Sequence, residues 1–287
     1  MGNPPILPLR QLDTLWLQVA GTRCNIACRH CFISCGPKDT RHAFMTVEQV
    51  RAALDEAAHQ GVREYYMTGG EPFMHPDLHQ LIEMTLAQGP LTILTNGILI
   101  DDAEAQWVAR TAAEAPYSFD LRVSLDGSSP EQNDAVRGKG TFARITAGIR
   151  RLASVGVNPI ITVTEVQDGM GSAAGRAAFL DFLRESGLEK PRLKFLTPFL
   201  LGREASRTRG YREDERLEEG DLLPEEYETL QCATSRMVTA DGVYPCPLLI
   251  NEPSARMGDT LADGLREIPL ADAACYTCHV SGVTCRN

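Results

Sequence analysis

Thr14-Leu15-Trp16-Leu17-Gln18-Val19-Ala20 runs directly into Gly21-Thr22-Arg23-Cys24-Asn25-Ile26-Ala27-Cys28-Arg29-His30-Cys31. The first run is short and apolar, as a strand of a buried sheet is, and it stops at a glycine. Outward from it the pattern repeats. Apolar runs near 63–68, 91–95, 119–125, 157–164 and 192–198 alternate with amphipathic stretches near 46–60, 76–88, 101–114, 141–155 and 173–186. This alternation predicts βα units around a parallel sheet, an α/β fold. The first helix carries its own boundary signals. Thr46 caps it, Gln49 completes a capping box, Val50, Leu54, Ala57 and Ala58 share a face, and Gly61 ends it.

At 287 residues the chain can bury one large core and carry a small appendage. Residues 203–228 are dense in Arg, Asp and Glu and read as an exposed charged linker between a main unit, 1–202, and a tail, 229–287. Short strand-like pieces at 236–239 and 243–244 flank Asp241-Gly242, a hairpin turn signal. The tail is too small to fold without staples. A formal charge of −10 offers phosphates no basic surface, which argues against a nucleic-acid partner. No apolar run approaches the roughly 20 residues of a membrane span. The N-terminus lacks a secretory pattern, and Ile6 stands where a myristoylation signal needs Ser or Thr. A cytoplasmic protein with no membrane partner is the expectation.

Nine cysteines in such a chain point to metal rather than disulfides. Four lie between Cys24 and Cys35, five between Cys232 and Cys285, and the 196 residues between have none, so two separate sites are implied. The trio Cys24, Cys28 and Cys31 is informative by its count. A structural zinc site closes four ligands around the metal, whereas three thiolates on a cubane leave one iron without a protein ligand. That open iron suits a bidentate small molecule. Zinc completed by Cys35 or a distant residue, and buried thiols without metal, are the alternatives.

The spacing CxxxCxxC resembles the signature of the radical S-adenosylmethionine (SAM) superfamily. The resemblance implies a partial (β/α)6 barrel in which Cys24, Cys28 and Cys31 hold a [4Fe–4S] cluster that cleaves SAM. His30 then takes a place that is usually aromatic and near the adenine. Gly69-Gly70-Glu71-Pro72 closes the second strand and is similar to the family's GGE motif, whose backbone receives the amino group of SAM. Its glycines would let the main chain approach the ligand. Asn96 follows the third strand, and Ser124 and Asp126 the fourth, at the sheet edge where βα sites collect. By resemblance, Ser124 and Asp126 bond the ribose hydroxyls or the methionine part of SAM, and Asn96 lines the same side. Arg137 would pair with the SAM carboxylate or form a surface ion pair. Thr197 to Arg203 resembles the stretch that covers the adenine, with Leu200 or Leu201 in contact or in core packing.

The block from Cys232 through Cys246 resembles the start of a SPASM or twitch domain. Five cysteines are too few for a full SPASM domain. The resemblance therefore implies a small cysteine-rich twitch domain with one auxiliary [4Fe–4S] cluster on Cys232, Cys246, Cys275 and Cys278, Cys285 being a substitute ligand. A zinc ribbon is the alternative. Two [4Fe–4S] clusters and SAM imply a reductant such as flavodoxin or ferredoxin. The leading expectation is hydrogen abstraction from a polar small-molecule substrate, an aminocyclitol or aminosugar, with oxidation through the auxiliary cluster. A radical epimerase with Cys285 or Cys35 as hydrogen donor, and modification of a ribosomal peptide, are alternatives. An iron–sulfur electron-transfer protein is the alternative of another class, and it would have no use for the strand-end motifs.

Overall fold

The computed structural model describes residues 2–282. The chain begins with β1 (Ile6–Leu7) and β2 (Thr14–Leu17). There follow α1 (Val47–Gln60) and β3 (Glu64–Met67), α2 (Leu78–Leu86) and β4 (Leu91–Thr95), then α3 (Asp102–Glu114) and β5 (Phe119–Ser124). Next come α4 (Pro130–Arg137), α5 (Thr141–Ser154) and β6 (Ile160–Thr164), then α6 (Ala173–Glu185) and β7 (Arg192–Leu196). The last part holds α7 (Gly202–Arg207), α8 (Glu226–Thr229), β8 (Ser235–Thr239), β9 (Gly242–Tyr244), β10 (Ile268–Pro269) and α9 (Ala273–Ser281).

The main sheet has the order β7-β6-β5-β4-β3-β2-β8-β9 and is parallel from β7 through β8. Its edges, β7 and β9, do not pair, so the sheet is open, as a partial barrel is. Alternation along the strands divides its faces. Leu15, Leu17, Tyr65 and Met67 join Leu54, Leu81, Ile149 and Leu183 of the helices in the large core. Trp16 and Tyr66, paired across β2 and β3, take the opposite face and stack with ring centroids 4.3 Å apart. They pack with Cys24, Ile33 and Cys35, so the cysteine loop lies on the face opposite the large core.

Every strand and helix expected from periodicity forms, most of them shorter than read. The first strand ends at Leu17, because Gln18 turns to donate from Nε2 to the Gly21 carbonyl at 2.9 Å. Thr46 and Gln49 form the capping box, and Gly61 closes α1 at φ 74°. Ala53, not Ala58, completes the buried face of α1. α4 was missed although Ser129 caps it and Pro130 opens it, both ordinary start signals. The hairpin of the tail forms as β8 and β9, and β8 extends the main sheet beside β2. Residues 203–228, expected to be exposed, bury Glu204, Glu215, Leu217 and Leu222. The carboxylates go inside because each has a guanidinium partner at 2.6 Å, Arg207 for Glu204 and Arg209 for Glu215. Among the described residues no helix is long and apolar enough to cross a membrane.

Candidate active site

The loop after β2 is shaped by its own backbone. Cys24 N–H donates to the Gly36 carbonyl at 3.1 Å, Cys31 N–H to that of Cys28 at 3.3 Å, and Ser34 N–H to that of Cys31 at 3.1 Å. Arg203, from α7, clamps it from outside. Its Nε donates to the Cys28 carbonyl at 2.7 Å, and its two terminal nitrogens donate to those of Ser34 (3.0 Å) and Cys35 (2.5 Å). The three cysteines open onto a cavity of ≈ 220 Å³ on the face opposite the large core, with His30, Cys35, Gly69, Gly70, Asn96, Ser124 and Arg137 also in its wall. Thr162 and Thr164 of β6, Arg122 of β5 and the apolar side chains of Phe32, Phe199 and Leu248 complete it. Glu71, Asp126 and Leu200 do not line it, whereas Thr197 and Phe199 do.

Asp126 sits behind the wall and organises it. Fully buried, its Oδ2 lies 2.7 Å from Arg137 Nε and 3.0 Å from His30 Nε2, and its Oδ1 accepts from Thr164 N–H at 2.8 Å. Burial alone would raise its pKa; the guanidinium and imidazole outweigh that and hold the carboxyl well below the usual range. Arg137, expected either at the SAM carboxylate or in a surface ion pair, is thus in a buried pair, its NH1 3.9 Å from Cys28 Sγ. Glu71 has a similar inward role: Oε1 accepts from Thr95 Oγ1 (2.6 Å) and Phe73 N–H (3.1 Å), Oε2 from Asn96 N–H (2.8 Å). Burial nevertheless raises its pKa to about 6. The glycines before it have a reason the sequence did not suggest. A Cβ on Gly70 would stand 2.0 Å from the Arg23 carbonyl oxygen, and one on Gly69 2.9 Å from Ala20, so the two loops could not cross.

The thiols are unequal. Burial pushes Cys24 up to about 12 and Cys28 to about 11. Cys31 is held low, first by a hydrogen bond from the Cys35 thiol and further by the Cys35 N–H, 3.4 Å from its sulfur. Among the described residues no three His, Cys, Asp or Glu side chains gather around a single ion, the arrangement zinc requires. Three soft donors beside Arg137 and Arg203 fit an anionic multi-iron cluster.

A second cavity, ≈ 40 Å³, gathers Cys232 from the turn before β8, Cys246 from beyond β9, and Cys275 and Cys278 one turn apart on α9. Leu230, Leu248, Leu249 and Leu270 surround them, and burial raises the pKa of Cys275. Four thiols in an apolar shell fit one closed cluster. Cys285 lies outside the described residues. Leu248 belongs to both cavities, and Pro247 to the first, so the segment after Cys246 is the partition between them. Arg236 and Leu248 carry no mark in the sequence, and Arg203, expected only as the end of the adenine-covering stretch, instead clamps the cysteine loop. Gly202, at φ 52° with its Cβ position 2.3 Å from the Phe32 carbonyl oxygen, is the signal that could have pointed to Arg203.

The profile of the Radical SAM superfamily matches residues 19–167. The mycofactocin maturase MftC of Mycobacterium ulcerans is 34% identical over 160 residues, 55% of this chain and 42% of that protein. The GTP 3′,8-cyclase of Peptoclostridium acidaminophilum is 28% identical over 155 residues, 53% of this chain and 46% of the relative. The chain thus spans less than half the length of either. Streptococcus suis SuiB bound to its precursor peptide SuiA superposes with a TM-score of 0.67 at 17% identity, over 91% of this chain and 66% of that one. The anSMEcpe structure with bound AdoMet gives 0.63 at 16%, over 88% and 79%. Both structures share the fold.

Proposed function

The chain belongs to the radical SAM superfamily, and on that premise we propose that it oxidises a substrate held between its two cysteine sites. Cys24, Cys28 and Cys31 hold the SAM-binding [4Fe–4S] cluster, and Cys232, Cys246, Cys275 and Cys278 an auxiliary one in a twitch-like tail. When bound, the clusters and SAM would supply one-electron chemistry, with a reductant such as flavodoxin or ferredoxin as electron source: SAM would take a hydrogen atom from the substrate, and the auxiliary cluster would take one electron as a proton leaves to solvent. The observation that carries the reading is Cys246-Pro247-Leu248, which walls the first cavity with one end and lines the second with the other. Phe32, Phe199 and Leu248 keep water from the reacting carbon. Ser124, Thr162 and Thr164 offer hydroxyls to the polar parts of SAM and substrate, while Asp126 fixes Arg137 and His30 in the wall.

For the substrate we favour a peptide, because the 34% identical relative is a maturase and SuiB was captured with a precursor peptide. An aminocyclitol or aminosugar is the second reading, supported by the polar wall of Arg122, Ser124, Thr162 and Thr164. Epimerisation has Cys285 or Cys35 as its candidate donor; Cys285 lies outside the described residues, and Cys35 stands in the wall of the first cavity beside Cys31. The test is anaerobic reconstitution with iron and sulfide counts, EPR with and without SAM, and 5′-deoxyadenosine release on peptide and aminocyclitol panels. About eight irons are expected, falling to about four when Cys24, Cys28 and Cys31 are all replaced by Ala. Zinc in place of iron, or EPR signals indifferent to SAM, overturns the proposal. Carbon-bound deuterium from D₂O without net oxidation rejects dehydrogenation in favour of epimerisation.

A further inference from the structure

Arg236 lies on β8 among buried residues and is itself 0% exposed. Its guanidinium donates four hydrogen bonds, all to main-chain carbonyls: Nε to Gly264 at 2.6 Å, NH1 to Cys232 at 2.7 Å and Ser235 at 2.6 Å, and NH2 to Arg266 at 2.6 Å. Among the described residues no carboxylate pairs with it. The other charges it feels are those of Cys232 and Cys246 and the repelling Arg266. Carbonyl dipoles satisfy the N–H groups but leave the net charge in place, and a buried ion without a counter-ion is unfavourable. A guanidinium keeps its proton in proteins, so Arg236 is a cation.

The missing anion has a place. Arg236 grips the carbonyl of Cys232, and a cubane closed by four thiolates is anionic. We infer that Arg236 is the built-in counter-cation of the auxiliary cluster, a positioning residue that offsets its negative charge and raises its reduction potential so that it accepts the substrate's electron. The inference rests on the auxiliary-cluster reading above. The couple concerned takes up one electron and needs no further reactant.

The test is an EPR-monitored redox titration of the reconstituted full chain as wild type, Arg236→Gln and Arg236→Lys, with iron counts on each. The auxiliary signal is the one that survives in the Cys24/Cys28/Cys31→Ala protein. Removing the cation should make the cluster harder to reduce: Arg236→Gln lowers the reduced-to-oxidised ratio at fixed potential about tenfold, a shift of about 59 mV for one electron. Arg236→Lys, which keeps the charge but not the four-carbonyl clamp, should stay near wild type. Loss of about four irons in Arg236→Gln but not in Arg236→Lys supports the same role. Equal shifts or equal iron loss in both variants would make Arg236 a mere clamp and sink the inference, as would an unchanged potential in Arg236→Gln. A wild type holding only about four irons, all lost in the Cys24/Cys28/Cys31→Ala protein, removes the auxiliary cluster itself, which the iron count shows before any titration.

Discussion

The two cysteine sites are built in opposite ways. The first is local: one loop carries Cys24, Cys28 and Cys31, its own hydrogen bonds shape it, and Arg203 holds it from outside. Its buried guanidinium, Arg137, has a buried carboxylate, Asp126, at 2.7 Å. The second is assembled from afar: Cys232, Cys246 and the α9 pair meet only when the β8–β9 hairpin and α9 have packed. Its buried guanidinium, Arg236, meets carbonyls only. At a site of the first kind the buried guanidinium has its counter-ion before any cofactor arrives. On the proposed auxiliary-cluster reading, one of the second kind would be completed by what it binds, and binding free energy there would be folding free energy.

The comparison breaks most visibly at the cysteines. Cys28→Ala should cut 5′-deoxyadenosine release by more than ~100-fold, beyond the loss typical of an outer-shell partner. Cys232→Ala should leave that release in place while product disappears, as followed by chromatography of one reaction mixture. If Cys232→Ala also silences SAM cleavage while the SAM-sensitive EPR signal persists, the division of labour is wrong.

The charges offer a second way in. Asp126→Asn leaves Arg137 as poorly matched as Arg236 and should destabilise the protein by ~3–5 kcal/mol, the usual result of removing one partner of a buried pair. Urea melts measure it, and adding Arg137→Met should restore much of the loss. A loss within error of zero would mean that Arg137 finds another counter-charge.

The smallest effect is a pH slope. Glu71 has a folded pKa of about 6 against an ordinary 4.5, so between these values the folded chain binds more protons than the unfolded one. Stability then falls as pH rises through that window, by about 2 kcal/mol in all, and is level above it. Asp126, held low, has the opposite sign: its contribution is present above the ordinary carboxylate range and is lost as pH falls through its depressed value. Denaturation of the metal-free protein from pH 4 to 7 should show the Glu71 slope, and Glu71→Gln should flatten it. An unchanged slope in Glu71→Gln assigns the titration elsewhere.

Periodicity and short-range spacing determined a good deal by themselves. The strand–helix alternation placed β2 to β7 and their helices, because apolar repeats are a local consequence of which faces are buried. The cysteine trio and the Gly-Gly-Glu loop were legible because their chemistry lies within a few consecutive residues. What only the tertiary structure decided is what depends on distant partners. Gly70 is a glycine because another loop's carbonyl occupies its Cβ position. Asp126 faces Arg137 and His30 rather than the cavity, and Leu248 stands between two cavities. Arg236 shows the limit most clearly: on a strand flanked by Ser235 and Met237 nothing marks it as unusual, and only packing shows that its charge lies buried beside two cysteines with carbonyls alone to meet it. A side chain's type is written in the sequence, whereas the electrostatic balance around it is a sum over residues that the fold brings together.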